Sequence, residues 1–589
     1  MNNRRYQLIT DKFREFFFPT LSISMANNMA ALVDAMLVST FLGVNRLPAV
    51  QLCFPVVAFT SLFYGMFGTG GSLIAANAQA DRDRIKACRV FSVSVTAVTG
   101  VGILVAFLGT VFRPQMIAML CSDLSLRADV SEYYSVLVLG FPFMCLLMSL
   151  SFFVRSDGCA KMASHSILIS NGVNLLMDCL LMKGFGAGLR GAALATIIGY
   201  LCGLLFLLIR YGRYPKRQFR LVSPIPSGTK LFLADISAIC GRGFPTAAFW
   251  LYLMISVRIT NNLVLSYGGA SGMQAYTICR NSMSLAYIFF IGTAQATTPF
   301  AGVYAHEGDY DRTRFILKQS VRIVMVAALL MVGVFSAFPR SLLWLFGAAA
   351  SPDADYFCRA IRIFTLVYPG LAFTYLMNFY CQAIDQKKLS AVITFLEGLL
   401  FPVGLAYLLV PRFGMTGIWF ALISSETITA ILIIMLLLWD TYGKKAPERR
   451  SYLLPLNNEL TGCEFSVETD LQEIVQISEE ASRYIEERID HKTATITCLA
   501  LEEMLTGIAL ANSGTKVAID VLLRDTEDEV IISVRDTGVG FNPLLRDPSL
   551  SYTFSNAEVL QSIASQIKYN LVLGMNDTQI CLRRTKRCK

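Results

Sequence analysis

Charge is what this sequence has least of. Of its 589 residues only 16% are Asp, Glu, Lys or Arg, while 54% are hydrophobic and the mean hydropathy is +0.53. A soluble chain of this length would need a charged surface to stay in water, so that class is excluded for most of it. Histidine is scarce: the three present (His165, His306, His491) are too far apart to suggest a metal cluster. The fifteen cysteines show no C-x-x-C spacing, so neither a zinc site nor a disulfide framework is expected. Most lie inside apolar runs as small fillers. The N-terminal segment MNNRRYQLITDKFREFFFPT has no small-residue cleavage site after it, and it reads as a retained cytoplasmic leader. Nothing in the pattern points to nucleic acid as a partner.

What is present is a series of apolar runs of about twenty residues, each long enough to cross a hydrocarbon core. They fall near 16–40, 50–78, 90–112, 132–154, 163–183, 189–210, 243–266, 275–298, 320–339, 357–382, 389–410 and 416–439. With the N-terminus inside, the inner loops carry about two dozen Lys/Arg against about nine outside, a positive-inside bias. The chain is therefore expected to be a multi-pass protein of the cell's inner (plasma) membrane. An even number of spans places both termini in the cytoplasm.

The spans repeat. Phe18-Pro19-Thr20 opens the first and Phe244-Pro245-Thr246 the seventh, and Gly191 in GLRGAALA matches Gly417 in GMTGIWFA, both at an offset of 226 residues. The charged hairpin ADRDRIK at 80–86 matches EGDYDRTR at 307–314. Six spans per half give both halves the same orientation, related by an axis along the membrane normal. Transporters built this way hold substrate between the halves and alternate access by rocking.

Two carboxylates lie inside the first half. Asp34 sits in MAALVDAMLVSTFLG and Asp178 in ISNGVNLLMDCLLM, with Asn174 one helical turn before Asp178 on the same face. Acids inside a membrane face a partner or a cavity. Two acids and an amide could hold Na⁺ through oxygens, carry a proton, or only bind neighbouring helices. Several segments in order resemble the MATE (multidrug and toxic compound extrusion) family of the multidrug/oligosaccharidyl-lipid/polysaccharide flippase superfamily. ALVD is similar to its N/F-V-D-T segment, RSDGCAK to its R-x-D-G-x-x-K loop, NGVNLLMDCLLM to its N-x-x-x-D span and GLRGAALATIIG to its G-x-x-G-A-A-x-A-T span. The resemblance covers about 15–440. It implies that Asp34, Asn174, Asp178 and Thr196 form a cation site in the N-terminal lobe, where Na⁺ or H⁺ drives export.

At the repeat offset the second half has no acids opposite Asp34 and Asp178, which predicts coupling in the first lobe alone. The second half carries other charges: Arg258 in ISVRITNNLV, Glu397 in TFLEGLLF and Glu426 in ISSETITA. An unpaired Arg at that depth is costly, so an intramembrane ion pair of Arg258 with Glu397 or Glu426 is expected. Contact of Arg258 with an anionic substrate is the alternative.

After Trp439 the composition changes. Residues 441–589 hold 17 Lys/Arg against 22 Asp/Glu, a net charge of −5, so that with a total of +9 the membrane part carries +14. A basic linker containing GKKAPERR is followed by alternating strand and helix patterns of one α+β domain. VRDTGVGFNP at 534–543, with LALEEMLTGIALAN some thirty residues before it, resembles the histidine-kinase-like ATPases (GHKL fold), closest to the anti-sigma-factor serine kinases. The resemblance implies Asp536 as the adenine-binding acid, Gly538 and Gly540 as the turn glycines, and Glu503 as a vestigial general base. The family's magnesium-binding Asn falls at Gly507 and its His at Ala511, and TFSNAEVLQ replaces the second glycine box. A degenerate domain is expected, binding ATP or ADP weakly or docking a protein partner, without efficient phosphoryl transfer.

The expected architecture is an all-α polytopic membrane protein of about 12 transmembrane helices in two six-helix repeats of the MATE fold, plus a C-terminal α+β GHKL-like sandwich. The divisions are an N-terminal lobe (1–226), a C-terminal lobe (227–440), a basic linker (441–456) and a cytoplasmic domain (457–589). The expected function is a Na⁺- or H⁺-coupled antiporter exporting small amphipathic or cationic compounds, with the tail as a regulatory domain, and not an enzyme. Two alternatives are a flippase for a lipid-linked or envelope metabolite, and a membrane-tethered regulatory protein whose tail binds a partner.

Overall fold

The computed structural model describes the chain apart from residues 1–5, 81–82, 158, 216, 218, 223–228, 307, 443–452, 454–460, 527, 545–555, 573–574 and 585–589. The GKKAPERR stretch of the linker and the start of TFSNAEVLQ thus lie outside the described residues.

The first lobe runs α1 (Gln7–Leu42), α2 (Leu47–Tyr64), α3 (Gly70–Ala80), α4 (Arg84–Val111), α5 (Arg113–Leu120), α6 (Arg127–Leu137), α7 (Phe141–Ser156), α8 (Ala160–Asp178) and α9 (Gly188–Gly212). The second runs α10 (Thr229–His306), α11 (Tyr310–Ala337), α12 (Pro339–Leu345), α13 (Ala354–Phe364), α14 (Tyr368–Ala383), α15 (Lys387–Phe395), α16 (Phe401–Phe413) and α17 (Met415–Tyr442). Short π- or 3₁₀-helical turns join several of these into single spans: 65–69 links α2 to α3, and 396–400 links α15 to α16. Before residue 443, ten helical stretches among the described residues are long and apolar enough to cross a membrane, and one of them, Thr246–Ala305, is 60 residues long. That stretch is two spans meeting at Gly269, whose φ of 58° and ψ of −157° a side-chain-bearing residue would not adopt. With α1, twelve crossings result.

The repeat is visible in the caps. Asp83 accepts a hydrogen bond of 3.0 Å from the Lys86 amide at the start of α4, and Asp309 accepts one of 3.1 Å from the Arg312 amide at the start of α11. These are equivalent positions at the 226-residue offset. The lobes meet near both faces. On one, the π-turn before α3 presses on α10 so closely that a Cβ on Gly243 would lie 1.9 Å from the Met66 carbonyl oxygen. On the other, Gln274 donates 2.8 Å to Asn45.

The C-terminal domain is a five-stranded antiparallel sheet in the order β1-β2-β3-β5-β4, with helices against one face. Its elements are β1 (Thr461–Glu468), α18 (Leu471–Glu486), α19 (His491–Ala511), β2 (Ala518–Asp525), β3 (Glu529–Asp536), α20 (Asn556–Ile563), β4 (Gln566–Val572) and β5 (Met575–Arg583). Strand alternation sends Ile519, Val521, Ile532, Val534 and Ile580 into one core with Leu501, Leu505 and Ile508 of α19. α19 is as apolar as a span because it is the central helix of this core. The alternate positions of β2 and β3 face the other way and carry Asp520, Arg524, Ser533 and Arg535 between the apolar Leu522 and Ile531. They are nonetheless buried, with Asp520 3%, Arg524 7%, Ser533 8% and Arg535 4% exposed, because that face lies against the membrane domain.

Candidate functional site

The first-lobe site is set by the crossing of α8 and α9. A Cβ on Gly199 would stand 2.6 Å from the Ser170 carbonyl oxygen and 2.9 Å from Asn174 Cβ, and one on Gly203 would stand 2.7 Å from the Ser166 carbonyl oxygen. Small residues on α9 thus let the two backbones meet, as membrane helices do without a hydrophobic driving force. This contact orients Asn174, whose Nδ2 donates 3.2 Å to Asp178 Oδ2. The helix passes into a π-turn directly after Asp178, over 179–184, a local geometry frequent at functional sites.

Asp178 is fully buried and its Oδ1 has no hydrogen-bond partner. Across from it stands Asp34 of α1, near enough for the two carboxyls to interact directly. Tyr133 of α6, 6% exposed, faces both acids and Thr196. Thr196 itself donates 3.1 Å to the Ala192 carbonyl. The structure therefore gathers Asp34, Asn174 and Asp178 directly, with Thr196 reached through Tyr133. Sequence reasoning missed Tyr133; it is one of two adjacent tyrosines after Glu132, and nothing in their spacing says which helix face meets the acids.

The second lobe encloses a cavity of about 330 Å³ walled by Phe249, Trp250, Tyr276, Tyr287 and Tyr375 and lined also by Arg280, Glu397 and Glu426. Glu426 accepts 2.9 Å from Thr374 Oγ1, and Glu397 Oε2 is buried without a partner. Glu397 lies in the π-turn of its span. The basic residue of this cavity is Arg280, not Arg258. Among the described residues no ion pair within 4.0 Å joins Arg258 to Glu397 or Glu426, and Arg258 Nε is buried without a hydrogen-bond partner. The expected pairing is corrected accordingly: the helix face, which spacing alone did not resolve, turns Arg280 to the acids. Arg280 had the same signal as Arg258, a charge within an apolar span.

In the C-terminal domain Asp536 ends β3 almost fully buried. Its Oδ1 accepts 2.9 Å from the Gly538 amide and 2.8 Å from Asn576 Nδ2. Burial raises this carboxyl above the ordinary carboxylate range, and those two donors pull it partly back. Side chains crowd both turn glycines: a Cβ on Gly538 would meet Asn512 at 2.3 Å and one on Gly540 the Tyr569 hydroxyl at 2.5 Å. Gly507 lies under the Phe541 ring, 2.6 Å from where its Cβ would be. Glu503 is partly exposed on α19, its carbonyl accepting 3.1 Å from Asn556 Nδ2. Burial and the neighbouring Glu502 raise its carboxyl.

Two six-span lobes, each with buried acids in a polar interior, define a membrane transporter rather than an enzyme. The MatE family model matches residues 19–180 and again 245–408, so the chain belongs to the MATE family, and the double match follows the internal repeat. It is 27% identical over 409 residues to the multidrug export protein MepA of Staphylococcus saprophyticus, covering 68% of this chain and 88% of that protein. To MepA of Staphylococcus aureus strain MRSA252 it is 24% identical over 405 residues, covering 67% and 86%. Among solved structures, the inward-facing conformation of a multidrug resistance MATE transporter superposes with TM-score 0.64 at 22% identity, covering 71% of this chain and 96% of that one. A Pyrococcus furiosus transporter of the same superfamily gives 0.57 at 22% identity, covering 72% and 93%.

Proposed function

We propose that the chain is a Na⁺- or H⁺-coupled antiporter that exports small amphipathic cations across a bacterial plasma membrane, with both termini cytoplasmic. The observation that carries this reading is the Asp34–Asp178 pair, with an unpartnered buried oxygen on Asp178 and Asn174 and Tyr133 beside it. Such a cluster releases its bound cation when the lobe rearranges, and so couples a gradient to the rocking of the lobes. The name of the staphylococcal relatives, multidrug export protein, agrees. In the second lobe, aromatic walls and two glutamates suit an organic cation, by cation–π attraction and charge. That acidic, aromatic lining favours export of cations over the flippase alternative, for which a basic opening would be needed.

The C-terminal domain is read as a degenerate GHKL-like module with a regulatory role. Its sheet order and the Asp536 turn support the likeness. Asn576 already occupies Asp536, and Phe541 fills the space over Gly507, so weak ATP or ADP binding and a docking role fit better than phosphoryl transfer.

The test is ethidium transport in proteoliposomes under imposed Na⁺ or H⁺ gradients, comparing wild type with Asp34→Asn and Asp178→Asn. Gradient-driven transport in wild type that fails in both variants supports the reading. Undiminished transport in both rejects it.

A further inference from the structure

The N-terminal end of α11 carries a buried cation held from both its own hairpin and the C-terminal domain. Arg312 is 2% exposed, bonds Asp309 at 2.7 Å and pairs with Asp520 of β2 at 3.2 Å, with Glu464 of β1 also facing it. Its repeat equivalent in the first lobe, Lys86, is exposed. Among the described residues it is the second-lobe hairpin that the sheet covers, through Asp520 and Arg535. A second contact lies alongside: the Arg535 guanidinium sits 4.5 Å over the Tyr304 ring, held from behind by Asp577 at 2.9 Å. Strand β2 also touches α1.

These contacts cluster where the lobes join. Ile9 and Phe13 of α1 form one buried cluster with Phe300 and Tyr304 of α10 and Ile316 of α11, and Tyr6 stacks on Phe315 at 4.2 Å between ring centres. Opening a path between the lobes from this face would part α1 from α10 and α11. A domain seated on all three opposes that parting. We propose that the C-terminal domain is an autoinhibitory latch, its Asp520 and Arg535 gripping Arg312 and Tyr304 so that this face stays closed until the domain lifts. The proposal rests on the antiporter reading for its transport consequence, and on the geometry alone for the docking.

The experiment uses the full chain in proteoliposomes, with Asp520→Ala and Arg535→Ala as separate variants and Arg483→Ala, on the exposed side of α18, as control. Hydrogen exchange by mass spectrometry reads docking at 304–312 and closure at 7–17; ethidium efflux reads the rate. Asp520→Ala removes one partner of a buried ion pair and should loosen docking about a hundredfold, and Arg535→Ala removes a cation–π contact and should loosen it about tenfold. Both latch variants should then exchange faster in both segments and transport about threefold faster or more, while the control matches wild type. Faster exchange at 304–312 with exchange at 7–17 unchanged overturns the latch, as does no change in either segment. Faster exchange in both with an unchanged or lower rate, in a wild type that does transport, also overturns it. If no form transports, the antiporter reading fails instead, and exchange at 7–17 alone decides the latch.

Discussion

Asn174 reaches one turn along α8 to donate 3.2 Å to Asp178, and a side chain on Gly199 would strike its Cβ as well as the Ser170 carbonyl oxygen. The amide that orients the buried acid is thus held in place by a glycine on the neighbouring helix.

Gly199→Val should therefore act at a distance. It forces α8 and α9 apart, and overpacking of this kind costs about 1–3 kcal/mol. A lowered melting temperature in detergent, with gradient-driven transport reduced as strongly as in Asp178→Asn, is the expected result. Gly100, with open space around its Cβ position, should accept the same change with little effect.

Asp178→Asn keeps the shape of the site and removes its charge. Transport should fall by about tenfold or more, the scale set by losing a partner around a bound cation. Tyr133→Phe, which removes only a hydroxyl facing the acids, should shift the pH or Na⁺ dependence of transport with a smaller loss of rate.

Glu426→Gln keeps the acceptor for Thr374 and removes a charge from the second-lobe cavity. The half-saturating concentration of a cationic dye should rise by about fivefold or more, while a neutral substrate of similar size is affected little. Equal effects on both would argue that the glutamate only braces α14 against α17.

Asp536 makes a pH prediction for the C-terminal domain. Its carboxyl is raised by burial, so the folded domain binds that proton more tightly than the unfolded chain does. The sign follows: this group's contribution improves as pH falls toward and below the folded value, and at neutral pH the buried charge is a burden. Asp536→Asn retains an acceptor for Gly538 and Asn576 and should raise the calorimetric transition of the domain by about 2–4 °C at pH 7.5, the gain shrinking in acid. Asp536→Ala, which strands two buried donors, should lower it.

Phe541 over Gly507 gives a prediction for nucleotide. Titration of the full chain with ATP and Mg²⁺ should show binding no tighter than about 1 mM, and Gly507→Asn alone should not improve it, because the ring already holds that space. Tight Mg²⁺-dependent binding would mean the domain is a working nucleotide site.

The twelve crossings, the 226-residue repeat and the strand alternation of the tail were determined by the sequence, because the cost of an unsatisfied backbone in lipid and the two-residue period of a strand act on composition and spacing directly. Asp34 and Asp178 stand out in the sequence because a carboxylate amid apolar residues does so wherever it folds, and Asn174 because it lies one helical turn before Asp178. Tertiary structure decided the rest. Which face of α10 meets the acids depends on helix rotation, so Arg280 lines the cavity and Arg258 does not. Tyr133 faces the two acids only because α6 packs on α9 and α2. The alternation of β2 and β3 does not say what their second face meets; the fold decided that by bringing Arg312, about two hundred residues earlier in the chain, against Asp520. A charge declares its cost locally, but its partner is chosen by the fold.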